Sequence, residues 1–246
     1  RVGPDEILVR GYRIEELTRR RSFGDTILLL LTGELPEGNQ GRMIEAILVS
    51  CCEHSLASPS VDAVRFVASA GVPLQAAVAA GVTAIGDTHG GAIEPCAHLL
   101  TGAVGAGTTA AALLRGLRAD KKRMPGFGHR VHKDDPRARV LLEIAAELAV
   151  AGRHCRFARE IAEASEEVFG RRINMNVDGA IAAILCDLGI DPGLGKAFFI
   201  IGRAPGYVAH AHEQTTKERP FKAAEPDDIT YTGPAERPVP TSPRPL

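Results

Sequence analysis

Apolar residues recur at Phe157, Ile161, Ala164 and Val168, while Arg159, Glu160, Glu163 and Glu166 take the opposite side. A stripe with that period is the core-facing side of an amphipathic α-helix. Further helical stretches run near 39–51, 75–85, 92–100, 107–116 and 195–214. Ser60 stands as the N-cap ahead of Val61, Val64, Phe66 and Val67. The segment 138–151 is apolar around more of its circumference and reads as a more deeply buried helix. Asp178–Leu188, led by the polar Asn176, reads as another buried one. Composition agrees: 36 alanines, no tryptophan and only 11 aromatic residues suit helices that pack closely. A β-sandwich wants more aromatic and β-branched residues in alternation. The start differs, because Ile7-Leu8-Val9 before Arg10-Gly11-Tyr12 looks like a short strand and turn.

These signals predict an all-α domain over 1–233, with a smaller mobile helical sub-domain around 130–200. Pro234, Pro238, Pro240, Pro243 and Pro245 preclude a regular helix in 234–246. That tail reads as disordered at its extreme end, or as an extended arm over a partner subunit. No internal repeat and no clean linker before residue 220 is found.

Charge narrows the function. Lys plus Arg is 29 against 30 for Asp plus Glu, so the basic excess of a general nucleic-acid binder is missing. One local basic cluster, Lys121-Lys122-Arg123, remains. The longest apolar run, Ile27–Leu31, is far too short to cross a bilayer. Five cysteines, two of them adjacent and none in a CxxC pair, favour reduced thiols in a cytoplasmic protein. The chain opens at Arg1 rather than Met, and the residues present show no signal-peptide pattern.

Four places combine glycine or proline with an ionisable group. In Gly86-Asp87-Thr88-His89-Gly90-Gly91-Ala92 the imidazole has free space at the mouth of a helix, whose unpaired N–H groups disfavour the cationic form. A neutral ring so placed can donate to a developing enolate oxygen, or His89 simply caps a turn. In Met124-Pro125-Gly126-Phe127-Gly128-His129 the glycines let backbone N–H groups face a ligand. The flanking residues, Arg130 to Lys133 and Arg137, invite phosphate or carboxylate. Asp178, after Asn174-Met175-Asn176-Val177, is either a helix cap or a general base beside a carbonyl. Arg203 and Arg219, the latter in Glu218-Arg219-Pro220, taken alone would be ordinary solvated arginines. His129, His132 and Asp135, or His210, His212 and Glu213, could gather round a metal ion, but neither set has a metal-site spacing such as HExxH. No GxSxG elbow and no GxGxxG after a strand is present. His98, His132, His154, His210 and His212 read as surface or core side chains, and the cysteines as small buried apolar residues.

Taken in order, these segments resemble the citrate synthase superfamily. The likeness begins with Arg10-Gly11-Tyr12-Arg13-Ile14-Glu15-Glu16-Leu17 and Leu31-Thr32-Gly33-Glu34-Leu35-Pro36. It continues through Glu53-His54, Thr88–Ala92, Pro125–His129, Asp135-Pro136-Arg137, Asn176-Val177-Asp178, Arg203 and Glu218-Arg219-Pro220. The resemblance implies a citrate synthase-like helical fold and a triad of His89, His129 and Asp178. In that triad Asp178 exchanges the acetyl methyl proton and His89 holds the enolate oxygen. His129 bonds the carbonyl or hydroxyl oxygen of the oxaloacetate part. It also implies that His54, Arg137 and Arg203 grip the dicarboxylate, and that Arg219 reaches in from the neighbouring subunit of a homodimer. Met124, Pro125, Gly126, Phe127 and Gly128, with Lys133 and Asn176, match the place where coenzyme A is held. Coenzyme A enters as a thioester substrate or product, and neither a tightly bound cofactor nor a metal is implied.

Within the superfamily, Gly179 after Asp178 and Asp227-Asp228-Ile229-Thr230-Tyr231 resemble the citryl-CoA lyase module at the end of ATP-citrate lyase. The expected reaction is therefore the cleavage of citryl-CoA to acetyl-CoA and oxaloacetate. The alternatives are a short citrate or methylcitrate synthase, and a module that senses CoA or citrate without turnover. No nucleic-acid or membrane partner is expected.

Overall fold

The computed structural model describes residues 1–129 and 133–239. His132, considered above as a metal ligand, and the last prolines of the tail, Pro240, Pro243 and Pro245, lie outside the described residues.

The chain begins with a small antiparallel meander, β1 (Val2–Gly3), β2 (Glu6–Val9) and β3 (Tyr12–Arg13), paired in the order β1-β2-β3. Everything of size after it is helical. Two helices not foreseen follow at once, α1 (Ile14–Arg20) and α2 (Phe23–Thr32). The second is set by a capping box, in which Ser22 and Asp25 each accept the other's backbone N–H. Then come α3 (Gln40–Cys51), α4 (Pro59–Ser69), α5 (Leu74–Thr83), α6 (Ile93–Gly105) and α7 (Ala110–Ala119). The second half holds α8 (Pro136–Glu147), α9 (Arg153–Phe169), α10 (Val177–Asp187) and the long α11 (Gly195–Lys217).

α10 is the helix around which the rest assembles. Residues Gly179 to Leu185 are all buried, as its unbroken apolar sequence predicts, and it packs against α6, α8 and α9. α9 buries its apolar stripe of Phe157, Ile161 and Val168 and keeps the charged face in water. A second, smaller cluster joins α4, α5 and α11 through Val61, Val64, Ala68, Ala77, Tyr207 and Ala211.

Two local expectations are corrected. α8 buries one face only, through Ala138, Leu141, Leu142 and Ala145, and leaves Val140 exposed, so it is not the deeply buried helix its composition suggests. Ser60 is not a cap. Pro59, pre-set for a first helical position, starts α4 one residue earlier, with Ser58 at the cap position. Ser60 is thereby turned inward, fully buried. The prolines of the described tail, Pro234 and Pro238, lie in exposed, irregular chain.

Candidate active site

Loop and helix ends deliver the candidate side chains. The segment Met124–Gly128 runs beside 174–176 as a miniature ladder. Gly128 N–H donates to Asn174 O at 2.8 Å, Asn176 N–H donates to Gly126 O at 3.0 Å, and Phe127 bridges Met175. Gly126 has a φ of +77°, and a Cβ there would stand 2.6 Å from the Cα of Gly179, whose own Cβ would meet Gly126 O at 2.3 Å. Two glycines thus let the loop lie flat on the first turn of α10.

Asn176 caps that turn, its side-chain oxygen accepting the N–H groups of Asp178 and Gly179, while its amide donates to Gly128 O at 2.7 Å. This overturns the capping alternative for Asp178. With Asn176 closing the helix end, the Asp178 carboxylate is released from that task. Burial pushes Asp178 up to about 6; the charge of Asp135 adds to the rise, and those of Arg137 and Arg203 oppose it. A carboxyl that exchanges its proton near neutrality is suited to proton transfer at carbon.

His89 sits in a tight turn in which Gly86 and His89 exchange backbone hydrogen bonds of 3.0 and 2.9 Å. Its Nε2 lies 2.7 Å from the buried Ser60 hydroxyl, and its ring meets Phe199 edge-on at 5.7 Å. The ring is held in its neutral form first by burial and then by the charge of Arg203. The direction agrees with the sequence reading, but the cause differs: α6 does not begin until Ile93, and a cation across the site acts in place of helix N–H groups.

Arg203, on α11, is 1% exposed. Its Nε donates to Cys51 O, its guanidinium covers the Phe199 ring at 4.9 Å, and Nη1 has no hydrogen-bond partner among the described residues. A buried cationic donor left unpaired is costly, and an anionic ligand would satisfy it. Arg137 is engaged. It forms a two-pronged pair with Asp135 at 3.0 and 2.8 Å, and Asp135 also accepts the N–H of Val177 at 3.0 Å. Burial raises the Asp135 carboxyl, but Arg137 and the backbone N–H groups outweigh it and hold the acid below its ordinary range. Asp135 therefore ties the starts of α8 and α10 together while its arginine faces the charge of Asp178.

His54 and His129 meet as perpendicular rings with centroids 5.7 Å apart. Beside His129 opens a cavity of about 680 Å³, within the usual range for small-molecule sites. Met124, Phe127, Gly128 and Lys133, named above for coenzyme A, are among the residues that line it. Pro125 and Gly126 lie outside that lining, and Asn176 is spent on its cap and on Gly128. Arg219 is exposed on the segment after α11, where its carbonyl accepts from Gln214 at 3.1 Å.

Sequence reasoning missed the partner of His89 and most of the cavity's charge. Ser60 carried a signal read wrongly as a cap. Lys122 and Arg123 were visible only as a basic run. Arg171, Arg172 and Ile173, also in the lining, gave no signal. Among the described residues no group of three or more His, Cys, Asp or Glu is arranged to hold a metal ion. His210, one of the suggested ligands, faces Glu53 and Glu213 instead. His154 is buried against Asp187 at 2.9 Å, and three of the five free cysteines, Cys51, Cys96 and Cys155, are buried. Among the described residues no helix is long and apolar enough to cross a membrane.

A mostly helical fold bearing these motifs in this order defines a recognisable class. The family model for the citrate synthase C-terminal domain matches residues 38–224, and the chain belongs to that family. It is 33% identical over 206 residues to the glyoxysomal citrate synthase of Cucurbita maxima, covering 80% of this chain and 39% of that protein. It is 32% identical over 221 residues to the citrate/2-methylcitrate synthase of Bacillus subtilis, covering 87% and 57%. The chain thus spans only about half the length of these curated relatives. The solved structure of citryl-CoA lyase from Hydrogenobacter thermophilus superposes with a TM-score of 0.93 at 43% identity, covering 98% of this chain and 95% of that one.

Proposed function

We propose that the chain is a citryl-CoA lyase, cleaving citryl-CoA to acetyl-CoA and oxaloacetate. The observation that supports this reading is the likeness to a citryl-CoA lyase at 43% identity with a TM-score of 0.93, against 32–33% identity to the citrate synthases.

In this reading His129 accepts the proton of the citryl hydroxyl. The carbon–carbon bond breaks, its electron pair passes into the thioester as an enolate, and the hydroxyl carbon becomes the ketone of oxaloacetate. In this reading Ser60 donates to Nε2 of His89, so that Nδ1 carries the proton and its N–H serves the enolate oxygen. A neutral ring serves here because it donates without itself being acidic enough to lose the proton. Protonated Asp178 then delivers its proton to the enolate carbon, giving the methyl group of acetyl-CoA. With a carboxyl near 6, about one molecule in ten is in that form at pH 7.

Arg203, through its unpaired Nη1, Arg137 and His54 hold the carboxylates of the oxaloacetate part. The basic wall of Lys122, Arg123, Lys133, Arg171 and Arg172 receives the phosphates of coenzyme A along the Met124–Gly128 loop. Arg219 reaches the site of a second copy, so the working unit is a homodimer. The helices between about 130 and 200 close over the substrates and exclude water that would trap the enolate.

The test is a product assay. Purified protein given citryl-CoA should release oxaloacetate. Rapid thiol release from acetyl-CoA plus oxaloacetate would instead establish the synthase, which the names of the curated relatives favour. Coenzyme A binding with turnover in neither direction would establish a sensor.

A further inference from the structure

One face of α11 grips three consecutive residues of the turn that carries His54. Arg203 Nε donates to the carbonyl of Cys51. One turn on, Gly206 lies so close to the next carbonyl that a Cβ there would stand 2.2 Å from Cys52 O and 3.0 Å from Glu53 Oε2. One turn further, His210 Nε2 is 3.0 Å from Glu53 Oε2. Residues 203, 206 and 210 recur at helical spacing, so the grip is a ridge of a single rigid element. His54 is the next residue in the chain, and its ring meets that of His129 at 5.7 Å.

Glu53 is the centre of this arrangement. Its other carboxylate oxygen accepts the N–H of Ser55, and the backbone N–H of His54 also bonds to it. Ser55 has a φ of +61°, a left-handed conformation that a residue with a Cβ adopts only when its surroundings impose it. Burial raises the Glu53 carboxyl, but His210 and the two N–H groups outweigh it, so the acid stays ionised and the clamp stays closed. A turn held by a carboxylate from within and a helix from behind has one orientation. That orientation fixes the direction in which the Cα–Cβ bond of His54 leaves the backbone.

We propose that His210 and Glu53 are positioning residues, which act through the 52–55 turn to aim His54 at His129 and thereby set the grip on the dicarboxylate. The proposal rests on the reading of His54 as a substrate-binding residue. It assigns a task to a histidine otherwise read as a bland helix side chain.

The experiment combines kinetics with the histidine ring signals of isotope-labelled protein. His210→Ala and Glu53→Ala should each raise KM for citryl-CoA about tenfold while kcat changes much less, because placement of the ligand is lost and the proton-transfer groups are kept. The double variant should be no worse than either single one, since both cut the same link. His210→Gln, which can still donate to Glu53, should recover most of the loss. In the ring spectra both alanine variants should move the His54 and His129 signals together. Multiplicative KM effects, or unmoved His54 signals, would overturn the proposal. Should an alanine variant fail to fold, Glu53→Gln and His210→Leu, which cannot donate to Glu53, carry the same comparison. The spectra need no turnover: a wild-type protein that does not cleave citryl-CoA refutes the lyase reading, while the displacement of His54 still decides the positioning role.

Discussion

Replacing Asp178 with asparagine separates what the residue does for the reaction from what it does to the fold. The side chain keeps its size and loses its charge. Asn176 supplies the helix cap, so α10 loses no end bond. In the folded protein the carboxyl is raised from 3.8 to about 6, mainly by burial. At about 1.4 kcal/mol per pH unit, that interval makes the ionised fold about 3 kcal/mol less stable than it would be with an unperturbed acid. The carboxyl retains some contact with water, so a gain of about 1–3 kcal/mol is the realistic expectation for the asparagine variant at pH 7.5. The sign follows from linkage. A raised acid costs nothing below pH 3.8, where it is protonated in both states, and its cost grows up to about pH 6 and is constant above. Urea unfolding at pH 7.5 should therefore show a variant more stable than wild type, and at pH 4.5 the two curves should approach one another. Citryl-CoA cleavage should fall by about 10²–10⁴, the usual contribution of a positioned acid or base. A variant that is less stable at pH 7.5, or whose gain is the same at both pH values, would refute the account of Asp178 as a buried, strained carboxylate.

The remaining predictions follow from single contacts. Ser60→Ala removes the partner 2.7 Å from His89 Nε2 and should lower kcat about tenfold with KM for citryl-CoA little changed, as read in steady-state kinetics. Unchanged kcat would mean that Ser60 does not orient the ring. Arg172→Ala, in the basic wall of the cavity, should raise KM for citryl-CoA about fivefold and flatten its dependence on salt. Gly126→Ala sets a Cβ 2.6 Å from Gly179 Cα at a φ of +77° and should cost about 2 kcal/mol or more in thermal unfolding. Finally, Arg219→Ala and Asp178→Asn proteins, each inactive alone, should recover about a quarter of wild-type activity when unfolded together and refolded as a mixture, since half the dimers then hold one intact site. No recovery would place Arg219 in its own subunit's site or outside it.

The helical character of the chain and the order of its motifs were legible from one dimension. Apolar spacing along 157–168 and the unbroken apolar run of α10 are local properties, and both elements form where that spacing predicts. The short motifs lie within a few residues of their glycines and prolines, so His89, His129 and Asp178 stood out before any fold was known, and Arg203 only through the family resemblance. The sequence misled or left a choice open where a residue's role depends on a neighbour two positions away. Ser60 and Asp178 both look like caps in sequence, and in each case another residue, Ser58 or Asn176, stands at the cap position and leaves the side chain to face the site.

The amino-acid sequence by itself determined that this is a closely packed helical protein of the citrate synthase family, because periodicity and motif order are written along the backbone. Only the tertiary structure decided the chemistry of the individual groups. Ser60 and His89 are 29 residues apart and Glu53 and His210 are 157 apart, and no pattern along the chain joins either pair. The acidity of Asp178 depends on burial and on charges from the start of α8 and from α11, and the cavity wall takes Arg171 and Arg172 from the loop after α9. Desolvation and electrostatic coupling act through space over a few ångströms, and it is the packing of the helices that fixes those distances.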